Sequence, residues 1–282
     1  MSEYQYYEFV ALDRPLDDRQ QAEVRELSTR ATVTPTSFIN EYHWGNFRGD
    51  PDQMMEHYYD AHLYLANWGT RRIMFRLPCE LLDLDTAGDY CVGDQSQAWT
   101  NGDHLVLDLT SEDESGEGEF DAKWALSAVI GVRAELALGD LRPLYLAWLA
   151  GYGSWERDED AFHRDADHEL EPPVPAGLDT LSAAQRALAD FLRLDAALLR
   201  VAAQASPPLN TVAHDPAQLA AWVADLSDTD KDRWLLRVID DHAAPVRMEM
   251  LRRLSDENIT TAAAPPRRTV GDLLDGAARL RT

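Results

Sequence analysis

Glu41 and His43 stand two residues apart in the run Ser37-Phe38-Ile39-Asn40-Glu41-Tyr42-His43-Trp44, which alternates as a β-strand does. On one strand face a carboxylate can orient an imidazole as an acid–base pair. Trp44, Asn46 and Arg48 follow at once, and Asn67, Trp68, Arg71 and Arg72 lie beyond the next predicted helix. Polar and aromatic groups gathered at strand ends are the raw material of a small-molecule pocket. Arg48, Arg71 and Arg72 could hold an anion near the helix that Asp50 caps. The same residues also have a plainer use, with tryptophans as core plugs and arginines paired to nearby acids. They are therefore candidates for ligand binding, and no catalytic residue is assigned.

Other chemistries find less support. His57 and His62 are five residues apart and share no helix face. There is no His-Glu-x-x-His, phosphate-binding GxxxxGK[ST], dinucleotide-binding GxGxxG or GxSxG elbow. Cys79 and Cys91 lack the spacing of a zinc set, and His163 and His168 among acids are at most a nonspecific cation trap. Neither a metal nor a cofactor is expected.

The elements that must position the candidate residues can be read along the chain. Residues Tyr6 to Leu12 form a strand stopped by Asp13-Arg14-Pro15, and a helix runs from about Asp17 to Ser28. After the Ser37–Trp44 strand and a glycine-bounded turn, Asp50-Pro51 starts a helix. Met54, Tyr58, Ala61, His62 and Leu65 at helical spacing extend it to Asn67-Trp68-Gly69, with glycine as a left-handed cap. Thr70 to Leu77 is a strand, and Gln97–Trp99 with His104–Leu109 flank Asn101-Gly102 as a hairpin. Phe120 to Leu138 reads as one long helix and Leu141 to Ala150 as another. Helices follow from Ser182, whose Ser-Ala-Ala-Gln is a capping box, over Asp195–Ala205, Asp215–Leu226, Asp228–Asp241 and Pro245–Leu254.

The fold class expected is α+β: a small ferredoxin-like sheet module over residues 1–110, then an all-α helical bundle. A helical extension with an acidic linker fills 111–175, the bundle 176–258, and a tether with a C-terminal helix 259–282. On that last helix Val270, Leu273, Leu274, Ala277 and Leu280 form an apolar stripe, which can dock on its own bundle or lie in a partner's groove.

Charge narrows the partners. The net charge is −24, and residues 79–175 carry 23 acids against 5 bases. Direct nucleic-acid binding is disfavoured, since phosphate contacts need clustered Lys and Arg, and only Lys123 and Lys231 are lysines. The acidic belt suits solubility, docking to a basic partner, or mimicry of nucleic acid. No apolar run reaches the roughly 18–20 residues that span a bilayer, so no membrane association is expected. The N-terminus lacks a secretory pattern, which makes the cytoplasm the expected location.

The strings YYEFVALDRPL, TPTSFINEYHWG and YLANWGTRR resemble an uncharacterised family of proteins from high-GC bacteria. The likeness is best over residues 4–78 and implies a bacterial cytoplasmic protein, with no catalytic residue transferred. The leading functional expectation is a non-enzymatic interaction or accessory protein with a protein partner. A small-molecule enzyme or sensor using the Glu/His/Arg cluster is the alternative, and acidic nucleic-acid mimicry the third.

Overall fold

The computed structural model describes residues 4–113, 126–153, 168–209, 216–239 and 267–281, with positions 246, 250 and 253. The chain opens on β1 (Gln5–Val10), in which Gln5, Tyr7 and Phe9 are buried. Asp17 caps α1 (Asp18–Leu27): its carboxylate accepts from the Gln20 backbone N–H, and the Gln20 side chain accepts from the Asp17 N–H. The short β2 (Thr32–Val33) leads into β3 (Ser37–Tyr42), which buries Phe38, Asn40 and Tyr42 on one face. Asp50 then starts α2 (Pro51–His57), accepting from the Asp52 N–H at 3.0 Å.

The helix read as far as Asn67 ends ten residues earlier. Residues Ala61–Ala66 form strand β4, joined by a tight turn at Asn67-Trp68-Gly69 to β5 (Arg71–Pro78). Buried on both faces, β4 presents a nearly continuous apolar run, which fits a helix pattern as well as a strand. Gly69 has φ +104° and serves the hairpin turn; a Cβ there would lie 2.0 Å from the Asp113 carbonyl oxygen. After α3 (Leu84–Gly88), the Asn101-Gly102 hairpin joins β6 (Ser96–Asn101) to β7 (His104–Ser111).

The seven strands lie in the order β2-β3-β1-β4-β5-β7-β6, with every adjacent pair antiparallel. With its helices this sheet makes the fold α+β, and it is wider than the small module expected. One face packs under α4 (Leu126–Val129), α5 (Gly131–Ala137), α6 (Arg142–Gly153), α7 (Ala183–Phe191), α8 (Ala196–Ala203) and α11 (Val270–Arg281). Leu63, Ile73, Phe75 and Leu107 of the sheet share one apolar core with Val132, Trp148, Leu188 and Leu198 of those helices. Phe9, Phe38, Met54, Met55, Tyr59 and Met74 form a second core on the other face, under α1 and α2.

Between residues 126 and 138 the expected long helix is two short ones meeting at Ile130. The capping box at Ser182 and Gln185 forms as read. Helices α9 (Pro216–Asp225) and α10 (Asp228–Ile239) follow, while most of the helix expected at 245–254 lies outside the described residues. The described part of the acidic linker is tied down. Leu170 bridges Thr269 as an isolated β-pair, and Glu171 receives Arg268 at 2.6 and 2.8 Å and the Tyr145 hydroxyl. This anchors α11 so that Val270, Leu273, Leu274 and Ala277 enter the chain's own core, while Leu280 stays exposed. No helix among the described residues is long and apolar enough to cross a membrane.

Candidate functional site

Strand register divides the candidate cluster. Glu41 is paired with Tyr6, Tyr6 with Leu65, and Leu65 with Arg71. Three strand spacings therefore separate Glu41 from Arg71, about 14 Å. Arg71 instead donates to the carbonyls of Asp190 and Phe191 at 3.4 and 3.3 Å, at the C-terminal end of α7. Glu41 and His43 are both exposed, and among the described residues no hydrogen bond joins them. His43 packs against Tyr4 at 5.1 Å between ring centroids. Burial, and then the neighbouring Glu41, push the Tyr4 hydroxyl above its usual pKa. No oriented imidazole–carboxylate pair results.

Asn67 and Trp68 sit in the β4–β5 turn. The Asn67 side chain accepts from the Tyr4 backbone N–H at 2.9 Å, a structural clasp on β1, and Trp68 is exposed. Arg72 lies on the opposite sheet face from Arg71. Its Nε and Nη2 donate to the two Asp108 oxygens at 2.8 and 2.7 Å, and Nη2 also donates to Asp52 at 2.6 Å. Burial works against its charge, but these two carboxylates outweigh it and hold the pKa above the ordinary guanidinium value. An open cleft of about 470 Å³ lies over this ion pair, lined by Tyr7, Tyr64, Asp108 and Thr110. The charge of Arg72 is already met by two acids, so it is not available to an added anion.

The remaining candidates converge. Trp44, Asn46 and Arg48 line a cleft of about 470 Å³ between the C-terminal end of α1 and the β3–α2 turn. Ser28, Thr29, Arg30 and Tyr42 complete its wall. The Arg30 guanidinium lies over the Trp44 ring, 4.1 Å from its centroid, while Trp44 remains 67% exposed. The buried Gln5 amide holds the turn from below, donating at 3.2 Å to both the Gly45 carbonyl and Asn46 Oδ1. Asn40, also buried, donates to Ser28 Oγ and to the Tyr42 hydroxyl, each at 2.8 Å. The N-terminus of α2 does not contribute, because the Asp50 carboxylate already fills it.

Arg30, Ser28 and Thr29 had no local signal in the sequence. They reach Trp44 only because β3 pairs beside β1 and α1 packs across that face. A different kind of surface lies on α10, where Leu235, Leu236, Val238 and Ile239 face solvent while Trp234 is buried and stacked on Trp222 at 6.0 Å. Among the described residues no three His, Cys, Asp or Glu side chains are grouped to hold a metal ion. No family model, curated protein or solved structure matches the chain.

Proposed function

We propose that this chain is a non-enzymatic interaction protein of the bacterial cytoplasm, docking a protein partner on the apolar face of α10. The sheet half serves as the structural body and the helical half presents the docking surface. The observation that carries this reading is the exposure of four aliphatic side chains on one short helix. Leu235 and Ile239 are one helical turn apart and Val238 lies beside them, with Ile239 81% exposed. A contiguous apolar patch left in water is a common mark of a protein contact. The net charge of −24 favours a partner of opposite sign, steering its approach before apolar contact forms.

The test uses the full chain and a Leu235→Glu/Ile239→Glu variant as baits against the lysate of a high-GC bacterium, at low and high salt. A partner held by the unaltered chain, lost by the variant and weakened by salt supports the proposal. Identical captured sets for the two baits, or no specific partner for either, would refute it.

A further inference from the structure

We infer that the cleft between α1 and the β3–α2 turn is a binding site for a small aromatic anion, a planar ring carrying one phosphate or carboxylate. This site is separate from the α10 face and stands independently of it.

Charge is the first argument. The chain carries a net −24, yet this cleft sets two guanidinium groups, Arg30 and Arg48, against one carboxylate, Glu26. On β5, by contrast, Arg72 is matched by Asp108 and Asp52, and Arg76 by Asp60 at 2.7 Å. Arg30 and Arg48 have no carboxylate partner among the described residues. A local positive site on a strongly acidic molecule is a place where an anion gains and a cation does not.

The hydrogen-bond inventory points the same way. Ser28 Oγ accepts from Asn40 at 2.8 Å and from the Arg30 backbone N–H at 3.2 Å, with the Tyr42 hydroxyl 3.4 Å away. The first two bonds occupy its lone pairs, so its own O–H is a donor. Asn46 Oδ1 likewise accepts from Gln5, leaving its amide N–H groups as donors. Two guanidinium groups, a hydroxyl and an amide thus present hydrogens, against the single carboxylate of Glu26 in the lining. An excess of donors over acceptors suits a phosphate or carboxylate.

The aromatic requirement comes from Trp44. Arg30 covers one face of the indole at 4.1 Å, and the side chain is still 67% exposed. A ring laid on the open face completes an arginine–indole–ligand stack, with its acidic group within reach of the guanidinium groups. Inorganic phosphate would use the donors and leave the indole idle. The cleft volume of about 470 Å³ suits a ligand of this size. The platform is set in advance, because the buried Gln5 and Asn40 amides fix the turn and the Ser28 wall.

Calorimetric titration of the full chain tests the assignment, with phenyl phosphate, benzoate and adenosine monophosphate as aromatic anions and inorganic phosphate and adenosine as controls. At least one aromatic anion is expected to bind about tenfold or more tighter than either control, and which one does so identifies the acidic group. Trp44→Ala and Arg48→Gln, both at exposed positions, should each weaken that affinity about tenfold, and Trp44→Phe should largely restore the stack. Circular dichroism confirms that each variant folds. The inference is overturned if no aromatic anion binds at millimolar concentration, if a control binds equally well, or if either Trp44→Ala or Arg48→Gln leaves affinity unchanged.

Discussion

Arg71 and Arg72 are adjacent in the chain and bond on opposite faces of the sheet. Arg71 donates to the carbonyls that end α7, and Arg72 bridges Asp108 on β7 and Asp52 on α2. The pleat imposes this, since successive strand residues alternate faces. Arg71 and Arg72, expected with Arg48 to hold an anion, are two separate staples, one for each layer of helices.

Losing the second staple should be costly. Asp108 is almost fully buried, and removal of Arg72 would leave its carboxylate without its main counter-charge. Arg72→Met is expected to lower stability by about 2–4 kcal/mol, less than a fully buried pair because Arg72 keeps some solvent contact. Adding Asp108→Leu should recover a good part of that loss, since the stranded charge is then removed. Urea unfolding of both variants checks this, and additive losses would show that the two groups act independently.

A second prediction concerns acid. His62 on β4 is fully buried, stacked on Phe9 at 3.8 Å, with Nδ1 3.0 Å from the Glu8 carbonyl oxygen. Nδ1 therefore carries the proton, and Nε2 is buried without a hydrogen-bond partner. Burial, aided by the charge of Arg72 and opposed by the Glu8 bond, pushes the pKa down to about 3. The unfolded imidazole titrates near 6.5, so below about pH 6.5 the unfolded chain binds a proton that the folded chain refuses. Stability must then fall as pH drops from about 6.5 toward 3, by at most about 1.4 kcal/mol per pH unit. Asp60 also has a lowered pKa: burial raises it, but bonds from the Asp13 and Leu12 N–H groups and from Arg76 prevail. Its contribution is present above the unfolded carboxylate value, near 4, and is lost only below that. Unfolding is read between pH 4.5 and 6.5, where most carboxylates stay ionised in both states. His62→Phe should flatten the curve in that window, and a flat curve for the unaltered chain would refute the account.

The same strand shows what could be read from the sequence and what could not. Helix starts and turns written in side-chain chemistry are legible: Asp50-Pro51 for α2, Ser182 with Gln185 for α7, and Asn101-Gly102 for the last hairpin. Strand β4 was not, because residues buried on both faces lose the alternation that marks a strand, and no glycine or proline separates it from α2. Missing β4 also hid the central position of β1 between β3 and β4, and with it the distance from Glu41 to Arg71. At the site, Trp44 and Arg48 were legible as polar and aromatic residues after a strand. Arg30 was not, since nothing near it in sequence shows that it will lie over Trp44.

The final prediction separates two uses of one apolar stripe. Val270, Leu273, Leu274, Ala277 and Leu280 are expected from the sequence either to dock on their own bundle or to lie in a partner's groove, and the first four are buried against this chain's own helices. Gly276 permits the close approach to α8, as a Cβ there would lie 2.8 Å from the Val201 side chain. If the stripe is core, Leu273→Ala should cost about 2–4 kcal/mol in the isolated protein, the usual loss for a buried leucine. Leu280→Ala, at an exposed position, should change stability by less than about 0.5 kcal/mol. A partner-binding stripe would give the opposite pattern, with Leu273→Ala leaving thermal and urea unfolding unchanged. The Arg268–Glu171 pair supplies an independent check, because its disruption by Arg268→Met strands a carboxylate that is 2% exposed. That variant should destabilise the chain by about 3 kcal/mol or more and loosen α11, seen as faster amide exchange across α11 and α8 together.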